Sequence, residues 1–326
     1  QEALTNVVRH AGATRAHVGV EARDGALVVS IDDEGDARAS LFDRSANCAL
    51  PNDAAILKHY GGLYFSCRQA FDLDCLIHAL RWVDVGDDMV ALRAGLLTTA
   101  STIVTSVGNQ FAQPLRPTHP DGAPKPGAAQ RISTQWSRDV LTEFARASEM
   151  WSRLAPVRAT RAHEAICADY RLALDEHLSS AAIVYADPPY TRDHYSRFYH
   201  VLETIARGDS PWALKHGPAP RAVYRTDRHQ SPFCVRSQAV DAFAALFERV
   251  ARAEALLLLS YSGSDSARNS HPRTMALNDV CELAARFFPR VTLRHLSAEL
   301  HSRLNKSSLV KTSSRNNAEV LLVCQA

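Results

Sequence analysis

Residues 184–200 read VYADPPYTRDHYSRFYH. They continue AAIVYA (181–186), a short and partly β-branched apolar run that follows Ser179-Ser180. That pattern predicts a buried strand. Pro188 and Pro189 have no N–H to give to a sheet ladder, so the strand must end before them. Asp187 is left at its carboxyl end, the edge where open α/β sheets bind ligands. The alternative is a strand closed by an ordinary Pro-Pro turn, so the flanking sequence decides between site and turn.

Downstream, strand and helix patterns alternate. QAVDAFAALFERVARA (238–253) reads as a helix, EALLLLSYS (254–262) as a strand and TMALNDVCELAARFF (274–288) as a helix. RVTLRHLSAE (290–299) and AEVLLVCQA (318–326) read as strands that close the order as an antiparallel pair. Such alternation predicts an α/β layer with a mostly parallel sheet. Upstream the periodicity is helical, at 68–82, 89–107, about 137–153 and 162–177. YGGLYFS (60–66) is a Gly-Gly turn. PLRPTHPDGAPKPGAAQ (114–130) is a Pro/Gly loop expected to be mobile. Residues 195–206 are expected to be helical, followed by an Arg-, Pro- and His-rich loop over 208–235. At the start, QEALTNVVRHAG (1–12) has helical spacing with Gly12 as a cap, and HVGVEA (17–22) with ALVVSID (26–32) predict a hairpin. The expected division is 1–37, a mainly helical 38–180, and an α/β region over 181–326.

Composition narrows the class. Hydrophobic content is 46% and charged content 22%, as in soluble globular proteins, and no apolar run is long enough to span a bilayer. The seven cysteines form no CxxC pair, which predicts reduced thiols in a cytoplasmic protein and no zinc site. No signal peptide is evident, and a start at Gln1 rather than Met suggests a cut or incomplete N-terminus. A net charge of +2 neither demands nor excludes nucleic acid, but arginine greatly outnumbers lysine and supplies forks suited to phosphate.

DPPYTRDHYSRFYHVLETI (187–205) resembles the D12 class of adenine-specific DNA methyltransferases. YGGLYFSCRQAFDLD (60–74), TSVGNQFAQPL (105–115) and LLLLSYS (256–262) resemble further landmarks of that class, so the likeness covers roughly residues 50–326. It implies a Rossmann-like methyltransferase sheet, a mainly helical inserted recognition region, and S-adenosylmethionine as cofactor. It also implies double-stranded DNA with a flipped adenine as substrate, a restriction endonuclease partner, and a monomer. The adenine amine is a poor nucleophile, its lone pair being delocalised into the ring. By resemblance, the Asp187 carboxylate and the Pro188 carbonyl orient that amine, Pro189 stiffens the turn, and Tyr190 stacks on the extruded base. Arg192, Arg197, Arg221, Arg225, Arg228, His229 and Arg236 cluster near the motif. As a group they are the expected phosphate contacts, against the alternative of a solvated charged face. SYSGS (260–264) lines the site or is a plain turn.

One part of the pattern is missing. The class carries a glycine-rich cofactor loop before the recognition region, where the backbone must approach the cofactor closely. None of the 14 glycines forms a GxG, so the sheet is expected to be incomplete at its N-terminal part. Residues 1–35 instead resemble a fragment of the ATP-binding domain of two-component sensor histidine kinases. Glu2 and Asn6 match its helix motif and Asp33-Glu34-Gly35 the start of its adenine loop, with Ala37 in place of the second glycine. No kinase or ATPase activity is expected from so short a piece. Three readings stay open: an adenine N6 methyltransferase, an inactive remnant that still binds DNA, and a sensor-kinase fragment. Cytosine N4 and RNA remain alternatives for the target.

Overall fold

The computed structural model describes residues 16–23, 26–33, 54–82, 86, 88–108, 110–154, 163–179, 182–210, 224–262, 273–295 and 319–325. The helix expected over 1–12 lies outside them, as do Glu2, Asn6 and Arg221. The chain divides into two compact units, one of Gln1–Arg158 with Arg197–Arg228 and one of Ala159–Ser196 with His229–Ala326.

The first unit holds β1 (Ala16–Arg23) and β2 (Ala26–Asp33), an antiparallel hairpin in which Ala16 pairs with Asp33 and Arg23 with Ala26. Its helices are α1 (Ala55–Tyr60), α2 (Cys67–Trp82), α3 (Asp88–Ile103), α4 (Ala128–Trp136), α5 (Val140–Leu154) and α7 (Ser196–Arg207). Ile56, Leu57, Leu73, Leu76, Ile103, Phe144 and Val201 meet in one core.

Side-chain amides and carboxylates tie these helices together. Ser66 and Gln69 form a reciprocal capping box: the Gln69 N–H donates to Ser66 Oγ at 3.1 Å and the Ser66 N–H to Gln69 Oε1 at 3.0 Å. The buried Gln69 Nε2 also donates to the Gln135 and Arg138 carbonyls, at 2.8 and 3.0 Å, at the corner between α4 and α5. Asp74, buried on α2, accepts the Ile56 and Leu57 N–H groups at 3.0 and 2.8 Å. It caps α1 from another helix, because Ala54 in the capping position offers no side-chain acceptor. Asp74→Ala is therefore expected to cost about 2 kcal/mol, by stranding buried amide donors, and Asp74→Asn about half of that. Urea unfolding of the two variants checks this.

One expectation is corrected in this unit. The second helix ends at Ile103 rather than near 107, because the next residues enter a ribbon. The Val107 N–H donates to the Gln113 carbonyl at 3.0 Å, and Ser106 bridges Pro114. The Pro/Gly loop folds into a turn at its tip. Thr118 bridges Pro124, the His119 N–H donates to the Ala123 carbonyl at 2.8 Å, and Gly122 takes φ +86 at the turn. Its last residues begin α4, an element the Pro/Gly content upstream of it concealed.

The second unit holds α6 (Tyr170–His177), β3 (Ile183–Ala186), a 3-10 turn (Pro232–Cys234), α8 (Arg236–Arg252), β4 (Leu256–Ser262), α9 (Leu277–Ala284), β5 (Arg290–His295) and β6 (Glu319–Gln325). The sheet runs β3-β4-β6-β5: β3 is parallel to β4, and β6 is antiparallel to both β4 and β5. This is a mixed sheet, with the expected antiparallel pair of last strands inserted so that β6 lies between β4 and β5. One face, with Leu257, Leu259, Tyr261, Val320 and Leu322, packs on α8 and α9 through Phe243, Phe247 and Val280.

β3 is less buried than its apolar run suggested. Val184 and Ala186 turn to the core, while Ile183 and Tyr185 are 65% and 63% exposed. Among the described residues β3 pairs only with β4, and the helical layer that packs the sheet covers one of its faces. Side chains alternate across a strand, so only every second residue is covered.

Candidate active site

The DPPY residues leave β3 directly. Ala186 pairs with Leu259, and β4 continues to Ser262, so the loop passes beside the last residues of β4. Asp187 is exposed, Pro188 is buried, and Pro189 and Tyr190 are half-buried. The Tyr190 ring lies 4.9 Å from that of Tyr261, tilted by 53°. Tyr261 is itself fixed: fully buried, its hydroxyl donates to the Met275 carbonyl at 2.7 Å. Burial beside another aromatic ring gives Tyr190 a defined orientation.

The loop backbone is held from two other segments. The Thr274 N–H donates to the Tyr190 carbonyl at 3.1 Å, and Thr191 bridges Arg273. The buried Cys234 thiol donates to the Asp193 carbonyl at 3.3 Å and lies 3.9 Å from that of Pro189. Burial, and secondarily the Asp193 charge, push the Cys234 thiol up to about 11, so it stays protonated and a donor at neutral pH. Thr274 had been expected inside a helix beginning at 274. The helix begins at Leu277 instead, and Thr274 is spent on the loop.

The arginines grouped by sequence fall into distinct settings. Arg192 and Arg236 are exposed in the second unit. In the first unit, Arg197 is half-buried on α7, and the exposed Arg228 lies over the Tyr224 ring at 5.3 Å. Arg225 is buried, with donors directed to the Asp209 carboxylate at 2.6 and 2.9 Å and to Asp227 at 2.9 and 3.0 Å. Burial works against its charge, and the two carboxylates outweigh that and keep the guanidinium protonated. Arg207 pairs with the same two acids. An arginine so committed is a structural tie, because a phosphate would have to displace both carboxylates. His229 is exposed.

His200 on α7 was not singled out by sequence. It is buried between the rings of Tyr60, Tyr64 and Tyr224, at 5.6, 5.9 and 4.8 Å. Nδ1 lies 3.1 Å from the Arg197 carbonyl, which selects the Nδ1–H tautomer, and Nε2 has no partner among the described residues. Burial lowers its pKa to about 4; the bond to Arg197 opposes this, and the charges of Arg228 and Arg225 add to it. The folded state therefore holds His200 neutral. Its contribution to stability is complete above an unfolded pKa of about 6.5 and is lost as pH falls toward 4. The loss is expected to reach about 3 kcal/mol and to be absent in His200→Phe. Asp227, held low by Arg225, loses its contribution only below its ordinary 3.8, outside that window. Urea midpoints at pH 7 and pH 4.5 for both proteins check this.

The fit to a methyl-donor cofactor is partial. The chain has no GxG, and the described glycines whose Cβ would clash, Gly61, Gly95 and Gly208, all belong to the first unit rather than to the sheet. The glycine cradle is thus not among these residues. Among the described residues no group of three or more His, Cys, Asp or Glu could hold a metal ion.

Residues 147–256 match the family model of the D12 class N6 adenine-specific DNA methyltransferase. This D12 stretch runs from α5 to the first residue of β4 and contains the whole DPPY loop, while the landmarks at 60–74 and 105–115 lie outside it. The hairpin of β1 and β2 lies outside it as well. Modification methylase LlaI of Lactococcus lactis subsp. lactis is 31% identical over 143 residues, which are 44% of this chain and 21% of that protein. The chain thus spans about a fifth of the length of that relative. No solved structure matches the chain. Over these stretches the chain is similar to DNA-modifying methyltransferases.

The sequence could have pointed to more of these contacts. Ser66 and Gln69 follow the capping-box spacing, and Asp227 stands two residues from Arg225. Cys234 and Thr274 carried no local signal, since their partners are 41 and 84 residues away.

Proposed function

We propose that this chain carries the base-accepting part of an S-adenosylmethionine-dependent DNA methyltransferase that modifies the N6 amine of adenine. The observation that carries the reading is the D12 match over a loop whose acid is exposed at a strand's carboxyl end beside a clamped tyrosine. In this reading Asp187 and the Pro188 carbonyl accept the N–H groups of the adenine amine and turn its lone pair outward. Tyr190 stacks on the base after it leaves the duplex, a contact worth about 1–3 kcal/mol. Fixing the amine in a near-attack geometry supplies much of the rate, because the reacting atoms then need no further ordering. S-adenosylmethionine supplies the methyl group when bound. A GxG cradle for it is not in this sequence.

The sheet is Rossmann-like in its second part, with parallel β3 and β4 and an inserted antiparallel β6. Residues 38–180 serve as the mainly helical recognition region, with the ordered turn near Gly122 as its exposed tip. Arg192, Arg197, Arg228 and Arg236 contact DNA phosphates, and Arg225 orders the first unit. The protein acts as a cytoplasmic monomer, with a restriction endonuclease as its functional partner. A second reading, an inactive remnant that binds DNA, is favoured by the missing GxG.

The test incubates the chain with radiolabelled S-adenosylmethionine and unmethylated duplex DNA, then digests the DNA to nucleosides. Label in N6-methyladenine is the expected result. Label in N4-methylcytosine would move the target, and label only in RNA would move the substrate. No label, together with no cofactor binding at millimolar concentration in a folded chain, would establish the remnant.

A further inference from the structure

The carbonyls of the DPPY loop are held by side chains that no reading of the motif includes. The Thr274 hydroxyl donates to the Phe233 carbonyl at 2.8 Å and lies 3.4 Å from the Tyr190 carbonyl, which takes the Thr274 N–H. Phe233 precedes Cys234, whose thiol donates to the Asp193 carbonyl. Thr274 and Cys234 are both buried. The 3-10 turn at Pro232–Cys234 is anchored in its turn by Phe233, whose ring packs 4.8 Å from Phe243 on α8 and 5.1 Å from Tyr170 on α6. A single threonine thus laces the loop after β3 to a turn resting on two helices.

We propose that Thr274 is a positioning residue for methyl transfer, acting with Cys234 through the backbone of Pro189, Tyr190 and Asp193 to fix where the Tyr190 ring and the Pro188 carbonyl point. This rests on the methyltransferase reading. The loop's prolines restrict φ, but they have no N–H with which to hold the loop in place. Donors from outside the loop do so: among the described residues the Thr274 N–H donates to the Tyr190 carbonyl and the Cys234 thiol to the Asp193 carbonyl, while the Thr274 hydroxyl ties Thr274 itself to Phe233. Displacing a reacting group by about 1 Å costs on the order of 100-fold in rate, so a clamp this close to the acceptor atoms is felt in the chemical step.

The test compares Thr274→Val, which keeps the shape and loses the hydroxyl, with Thr274→Ser, which keeps the hydroxyl. Cys234→Ser serves as a second conservative variant. Two quantities are read: hydrogen exchange of the amides in 190–196, with α8 as internal reference, and methyl-transfer kinetics on duplex DNA. Thr274→Val is expected to speed exchange of the loop amides about 10-fold while α8 keeps wild-type rates. It is also expected to lower kcat about 10- to 100-fold, with the KM values for DNA and cofactor within about 3-fold. Thr274→Ser and Cys234→Ser should restore most of both. Unchanged loop exchange, or faster exchange throughout α8 as well, would overturn the clamp, and so would a loosened loop with unchanged kcat. If the wild-type chain transfers no methyl group at all, the methyltransferase reading fails by itself, and local loosening in Thr274→Val still supports the clamp.

Discussion

Asp187→Ala is expected to lower methyl transfer to DNA by about 100- to 1000-fold while leaving the melting temperature within about 2 °C of wild type. The two halves of that result have separate causes. Asp187 is exposed, so removing its carboxylate opens no cavity in the core, and surface changes of this kind cost little stability. In the proposed mechanism its carboxylate accepts an amine N–H of the extruded base, and alanine has no acceptor. Asp187→Asn keeps one acceptor oxygen without the charge and is expected to fall in between, by about 10-fold. Steady-state kinetics with circular dichroism melting checks both variants. An Asp187→Ala protein with wild-type rates would remove the carboxylate from the mechanism. A large fall in melting temperature would show that it holds the loop instead.

The largest expected effect on stability comes from Gly95 in the middle of α3. A Cβ there would lie 2.3 Å from Ser148 Oγ and 3.0 Å from the Ser148 Cα and N, on α5. The last two are backbone atoms, so the clash cannot be relieved by rotating a side chain. Glycine within a helix costs about 1 kcal/mol relative to alanine, yet it lets the two helices approach this closely. Gly95→Ala is expected to cost about 2 kcal/mol net of that gain, and Gly95→Val about 4 kcal/mol or more, enough to unfold the helical unit. Adding Ser148→Ala removes only the hydroxyl and should recover little. Chemical unfolding of the single and double variants, followed by circular dichroism at 222 nm, is the measurement. Full rescue by Ser148→Ala would place the contact in the side chain.

The alternation of helix and strand in the second unit was legible because the two have different hydrophobic periods. The run 181–186 gave a strand, and 254–262 gave its parallel neighbour. What the run could not say was how many faces are covered. Ile183 and Tyr185 read as core residues by type and are exposed by position, a property of the layers and not of the local sequence. Helix ends were the other weak point. Thr274 and Val104 continue apolar patterns, but their backbone groups are drawn to partners elsewhere in the chain. The candidate loop was legible where it is contiguous, at 187–190, and the contacts that hold it were illegible because they come from distant segments. Arg225 shows the same limit from the other side. By type it belonged with the arginines expected at phosphates, and only its contacts with Asp209 and Asp227 mark it as a tie.

β6 lies between β4 and β5, yet it is the last of the three to be synthesised. A nascent chain whose β4 and β5 have already left the ribosome cannot pair them with each other, since the strand that separates them has not been made. Leu257, Leu259 and Leu293 must wait without their partners Cys324 and Leu322. The sheet therefore closes out of chain order, by a pairing between strands far apart in sequence, which is entropically costly. Until residue 325 emerges, the interval is one in which a chaperone has an apolar strand to hold.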